Sequence, residues 1–272
     1  MISFTTNATL ADFIRLKYFL PNVLRVFGER LSELVVIIDA KPEEGRISVL
    51  QQSNKKHTPL SGQLIAELSG LDKRIRFAEL DYSQVKDISR KWFAQDSIIR
   101  CQAGTPIFAF LYGLEISQSP RVFRSDCDML FNDKGFIDKI NEAEESIDLI
   151  QPPFLRDMPG EFSSRAFFVN RQAIERKLPL QPAKLGFLRQ LHRRYHQRPV
   201  FMALEQIFEH NIQRNNLNCV KQTTALGHTM HLPKREDFHD ANIEEIISRF
   251  NSGIIPAAQL AKAHDFAVSC WQ

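Results

Sequence analysis

The chain has 272 residues, enough to bury an apolar core without disulfide or metal staples. Hydrophobic residues make up 43% and charged residues 25%, which excludes disordered, collagen-like and coiled-coil classes. The formal net charge of +3 suits anionic small molecules and is too weak to indicate a nucleic-acid partner.

The first element is a short β-rich strand over Ile2–Thr6, ending in polar Thr6 and Asn7. A helical apolar spacing follows through Leu10, Phe13, Ile14, Leu16, Phe19 and Leu20, and it resumes after Pro21 at Val23, Leu24, Val26, Phe27 and Leu31. Leu34–Ile38 is a continuous apolar run of strand length closed by Asp39, the pattern of a strand buried on both faces. Pro59–Leu71 reads as a helix, and Ile75–Leu80 as a strand closed by Asp81 and Tyr82. Thr105–Leu114 is an apolar helix opened by Gly104 and Pro106. Val122–Arg124 is a short strand running into Ser125, Asp126, Cys127 and Asp128. Ile147–Gln151 and Arg165–Val169 are further strands, and Gln172–Lys177 and Phe201–His210 further helices.

This alternation predicts an α/β/α sandwich around a mostly parallel, Rossmann-like sheet, with no linker to divide residues 1–272 into separate domains. Four widely spaced cysteines (101, 127, 219 and 270) form no paired spacing, so a reducing compartment is expected. The N-terminus lacks a basic, apolar signal, and the longest uncharged stretch, Cys101–Leu114, is shorter than the roughly 20 residues of a spanning helix. A cytoplasmic protein with at most peripheral membrane contact is the expectation.

In parallel sheets ligands bind at the carboxyl ends of the strands. Asn7, Asp39, Asp81, Asp126 and Asp128 all fall at predicted strand ends, although Asp and Asn also end strands as plain turn formers. Asp126 and Asp128 are the informative pair. Two carboxylates with one residue between them, just past a buried strand, can chelate Mg²⁺ or Mn²⁺ and leave positions for substrate phosphates. A bare D-x-D arises by chance about once in a chain of this composition. The setting adds weight, because a strand leads in and apolar Met129, Leu130 and Phe131 lead back toward the core. The alternative is an acidic turn with Asp133 nearby.

In order along the chain, ISFTTN, LVVIIDA, GTPIFAFLYGL and RVFRSDCDMLF resemble the GT-A class of nucleotide-sugar glycosyltransferases, especially the inverting family 2 group. The resemblance covers roughly the first half of the chain. It implies that residues 1–131 bind nucleotide-sugar and metal, and that residues 132–272 hold the acceptor and a C-terminal segment. Asp39 matches the acidic residue that contacts the nucleoside, with Thr6, Asn7 and Asp81 lining that pocket. RSDCDM supplies the DxD motif, in which Asp126 and Asp128 hold Mn²⁺ or Mg²⁺ across the donor diphosphate. Ala203-Leu204-Glu205-Gln206 stands where family members carry a Glu-Asp pair, with Gln206 in place of the usual Asp, and makes Glu205 the candidate catalytic base. In GHTMHLPKREDF, His231 or His228 matches the late histidine that completes the metal site, and Lys234 and Arg235 the cations that meet the diphosphate. The implied activity is transfer from a UDP- or GDP-linked sugar to a saccharide or lipid-linked acceptor, with inversion.

Other features carry less. RQLHRRYHQR (189–198) reads either as a polyanion-binding run or as a solvated helix face. His192 and His196 have the spacing of a zinc-protease helix without its Glu, which removes that reading. Asp157 and Glu161 are candidates to bind acceptor hydroxyls. A sugar-phosphate nucleotidylyltransferase is the nearest enzymatic alternative, although TTNATLADF lacks the Gly-rich loop such enzymes carry after the first strand. A non-catalytic polyanion- or saccharide-binding protein on a degenerate scaffold is the other.

Overall fold

A computed structural model describes residues 1–39, 60–94, 106–131, 147–151, 166–181, 204–221 and 229–232, with single positions at 245, 247–248 and 252. One seven-stranded sheet gathers strands from Ile2 to Lys221. They are β1 (Ile2–Ala8), β2 (Leu31–Asp39), β3 (Ile75–Leu80), β4 (Arg121–Ser125), β6 (Leu149–Gln151), β7 (Ala166–Asn170) and β8 (Cys219–Lys221). Their order is β3-β2-β1-β4-β7-β6-β8. β3, β2, β1 and β4 run parallel, as do β6 and β8. β7 alone runs against its neighbours. The mostly parallel α/β/α sandwich read from the sequence is therefore the observed one, with a single reversed strand inside it. A second, two-stranded ribbon pairs β5 (Met129–Phe131) with β9 (Thr229–His231).

The helices cover both faces. α1 (Phe13–Phe27) and α2 (Gly62–Ser69) pack on one face, over Phe4, Leu34, Val36, Ile38, Phe123 and Phe168. On the other face lie α3 (Tyr82–Phe93), α4 (Pro106–Ile116), α5 (Arg171–Glu175) and α6 (Leu204–Arg214), over Val35, Ile37, Val122, Phe167 and Val169. The continuous run of β2 thus supplies alternate side chains to two separate cores, as a doubly covered strand must. The high Phe count goes into these cores. Phe4 contacts Phe19, Phe27, Phe123 and Phe131 at ring-centroid distances of 5.1–6.4 Å. Phe110, Phe167 and Phe208 form the opposite cluster.

Pro21 does not end α1, in line with the apolar spacing that continues past it in the sequence. It sits on the exposed side of the helix, where the lost backbone bond is tolerated, and α1 continues to Phe27. α3 was not anticipated, because its dominant composition is polar. Its signals are an N-cap Asp81, whose carboxylate accepts from the Gln84 amide at 2.8 Å, and Val85, Ile88 and Trp92 on one buried face. No described helix is long and apolar enough to cross a membrane.

The ribbon is fastened to α1 by Asn22, which is buried. Its side-chain amide donates to the Phe131 carbonyl, and its side-chain oxygen accepts from the Phe131 amide, both at 2.8 Å. Arg25 donates to the same carbonyl at 3.2 Å.

Candidate functional site

The carboxyl ends of β1, β2, β3 and β4 lie at one edge of the sheet, because those strands are parallel and in register. Asn7 pairs with Ile37 and Asp39 with Leu80, so Asn7, Asp39 and Asp81 arrive at that edge together. Thr6 is buried at 2% exposure, and its hydroxyl has no hydrogen-bond partner among the described residues. Asp81 is exposed and occupied in capping α3.

The acidic turn leaves β4 at the same edge. Cys127 is buried and packs into the α1-side core, so the middle residue of Asp126-Cys127-Asp128 anchors the turn inward. Burial pushes the Cys127 thiol well above its usual range, reinforced by the charges of Asp12 and Asp128. That makes it an inert packing group. Asp126 stays partly open, with a side-chain exposure of 39%, whereas Asp128 is more enclosed, at 23% with its Oδ1 buried.

Each carboxylate meets a buried arginine. Arg124 is 2% exposed and reaches Asp126 Oδ1 at 2.5 Å and Asn7 Oδ1 at 3.4 Å. Arg15 is 8% exposed and lies 3.3 Å from Asp12 Oδ1 and 3.7 Å from Asp128 Oδ2. Asp12 is itself buried and held by Thr9, whose amide and hydroxyl both donate to Oδ2, at 3.0 and 2.9 Å. Burial raises the Asp128 carboxyl above the ordinary aspartate range, the nearby Arg15 opposes that rise, and the Asp12 charge adds to it.

The ribbon brings the late part of the chain to this turn. Met129 pairs with His231, and the Leu232 amide donates to the Asp128 carbonyl at 2.7 Å. The backbone of His231 therefore runs beside the first residue after the acidic pair. His228, Lys234 and Arg235 lie outside the described residues, as do Asp157, Glu161 and the 189–198 run. Glu205 is in the first turn of α6. That helix ends near Asn216 and Asn218, which bond Lys177 and Asp148 at the start of β6. Its first turn is thus at the end facing the strands' carboxyl edge.

Among the described residues no group of three or more His, Cys, Asp or Glu side chains gathers to hold a metal ion. Mg²⁺ does not demand such a cage. It binds through one or two carboxylates and keeps the rest of its shell for waters and phosphates. Two carboxylates on one turn, Asp126 open and Asp128 more enclosed, fit that sparse donor set, and Asp128 gains from a neutralising partner because burial penalises its charge.

Sequence reading missed Asp12, Arg15 and Arg124 as site residues. Arg124 stood two positions before Asp126 in plain view. Asp12 and Arg15 lay within an apolar helical pattern, and Asp128, the second carboxylate that Arg15 meets, is distant in sequence.

No protein-family model matches the chain, and no curated protein matches it by sequence. Solved structures do. The galactosyltransferase LgtC, in complex with donor and acceptor sugar analogues, is 13% identical over 96% of this chain and 99% of its own, with a TM-score of 0.50. The inositol-1-phosphate CTP transferase of T. maritima is 10% identical over 93% and 98%, with a TM-score of 0.46. Mouse xyloside xylosyltransferase 1 is 12% identical over 82% and 84%, with a TM-score of 0.41. The likeness to the galactosyltransferase shows the fold: this chain has a GT-A-like architecture.

Proposed function

We propose that this protein is a metal-dependent glycosyltransferase that moves a sugar from a UDP- or GDP-linked donor to a saccharide or lipid-linked acceptor. The observation that carries the reading is the carboxylate pair at the end of β4, tied through Leu232 to the segment that carries His231. Asn7 and Asp39 stand at the neighbouring strand ends, where a nucleoside would lie. A divalent cation held by Asp126 and Asp128 would neutralise the charge that grows on the departing diphosphate.

The protein's own residues have separate tasks in this reading. Arg124 and Arg15 fix the two carboxylates in place. Thr6, Asn7, Asp39 and Asp81 belong to the nucleoside side, and Lys234 and Arg235 to the diphosphate. His231 or His228 completes the cation's protein donors. In an inverting reaction Glu205 accepts the proton of the acceptor hydroxyl as that oxygen attacks the sugar's C1.

Sugar transfer is favoured over nucleotidylyl transfer by the loop after β1. Phosphate cradles of that kind need free backbone amides in a flexible, glycine-rich loop. Here the Thr9 amide is engaged by the Asp12 carboxylate and the Asp12 amide by the Thr9 carbonyl, in a loop without glycine.

Thermal unfolding with UDP, GDP, CDP and dTDP, each with and without MnCl₂, tests the proposal. A ligand at about 100 times its Kd adds about 2.7 kcal/mol of stability. At about 2–4 °C per kcal/mol the shift is readily measured. A shift with one nucleotide, seen only with metal, is expected. No shift with any nucleotide would leave the acidic pair as a turn and turn attention to non-catalytic binding.

A further inference from the structure

We propose that Arg15 and Arg124 act as built-in counter-cations that hold down the acidic turn's affinity for a free divalent ion, so that the ion enters chiefly together with a diphosphate. The inference rests on the metal reading above and adds to it the order in which the site fills.

Three observations support it. Both arginines are buried, at 8% and 2% exposure, so solvent and salt screen them poorly. A guanidinium keeps its proton at every working pH, so neither charge can be switched off. Each touches a different member of the pair, at 3.7 Å for Arg15 with Asp128 and 2.5 Å for Arg124 with Asp126. With Asp12 included, the turn presents three carboxylates against two guanidiniums. A bare divalent ion bonded to Asp126 and Asp128 would sit against both fixed positive charges. A diphosphate reverses the balance, since it brings to the cation negative charge that the two buried guanidiniums attract through space. The same two side chains that oppose the lone ion therefore favour the ion with its diphosphate.

A purely structural role for Arg15 makes the opposite prediction. If it served only to pin Asp128 to α1, removing it would loosen the turn and weaken cation binding. The sign of the change separates the two.

The test is a Mn²⁺ titration followed by the electron paramagnetic resonance signal of the free ion, on the full chain. Arg15→Gln is expected to bind Mn²⁺ about tenfold more tightly than the wild type, because one opposing charge is gone. Arg15→Lys, which keeps the charge, is expected to stay close to the wild type. Asp128→Asn is expected to lose the site. Unchanged or weaker binding by Arg15→Gln overturns the proposal, as does Arg15→Lys behaving like Arg15→Gln. In either case a wild-type site that Asp128→Asn removes leaves the metal reading standing. A wild type that neither binds Mn²⁺ alone nor is stabilised by MnCl₂ with pyrophosphate beyond pyrophosphate alone overturns both. Should Arg15→Gln fail to fold, thermal unfolding of the wild type decides. MnCl₂ with pyrophosphate is expected to stabilise it and MnCl₂ alone to have little effect, and an equal shift with MnCl₂ alone overturns the proposal.

Discussion

The amide of Leu232 donates to the carbonyl of Asp128 at 2.7 Å, so the late segment is tied to the acidic turn through backbone alone. Changing the Asp128 side chain leaves that tie intact. Asp128→Asn should therefore abolish sugar transfer while the fold survives. It should also stabilise the ligand-free protein. Asp128 titrates above the usual range because its charged form is penalised by burial. A group with a raised carboxyl pKa favours the folded state when protonated and disfavours it once ionised. The penalty is absent below the unfolded-state pKa and builds as pH rises through the folded one. The variant should melt higher than the wild type at neutral pH, because the penalised charge is gone. That gain should shrink on acidification, which calorimetry at several pH values would show.

Asn22 satisfies both backbone groups of Phe131 from inside the α1 core. Asn22→Leu preserves the size of the side chain and leaves the Phe131 amide without its partner. A buried donor stripped of its bond costs about 1–3 kcal/mol. Urea unfolding should show a lower midpoint by that amount with an unchanged slope.

Glu33 makes a useful contrast, because it is buried at the opposite edge of the sheet. Its carboxylate accepts from the Ser3 hydroxyl at 2.7 Å and from the Gln118 amide, and pairs with Arg76 at 2.9 Å. Glu33→Gln should cost about 1–3 kcal/mol of stability. Nucleotide affinity, measured by calorimetric titration, should stay at the wild-type value.

Cys127 should resist thiol reagents in the native protein, since burial keeps its thiol protonated. Peptide mapping after alkylation should find it modified only when the protein is unfolded. Cys127→Ser, which puts a hydroxyl in the same apolar surroundings, should cost about 1–3 kcal/mol.

Much of this fold was legible in the sequence. The run from Leu34 to Ile38 announces a doubly covered strand, and Ile75–Leu80 was bounded as it is observed. The reversal of β7 was not legible. Ala166–Asn170 is apolar and buried on both faces whichever way it runs, so periodicity carries no direction. β8 is only three residues long and gives no pattern to read. In the site, Asp126 and Asp128 could be found because their spacing is local. Arg15 could not, because its role depends on a carboxylate that only the packing of α1 against β5 brings near.

The bonds from Asn22 and Arg25 to Phe131 have a consequence beyond stability. A two-stranded ribbon has two outer edges, and an open strand edge invites pairing with another chain. On the α1 side, the amide and carbonyl of Phe131 are already taken by side chains. Helix α1 thereby closes that edge without being a strand. Loss of Asn22 would leave those groups without its bonds beneath α1, and a partly opened variant would offer them as a short template for β-augmentation, so its variants should aggregate more readily than the wild type in mild denaturant.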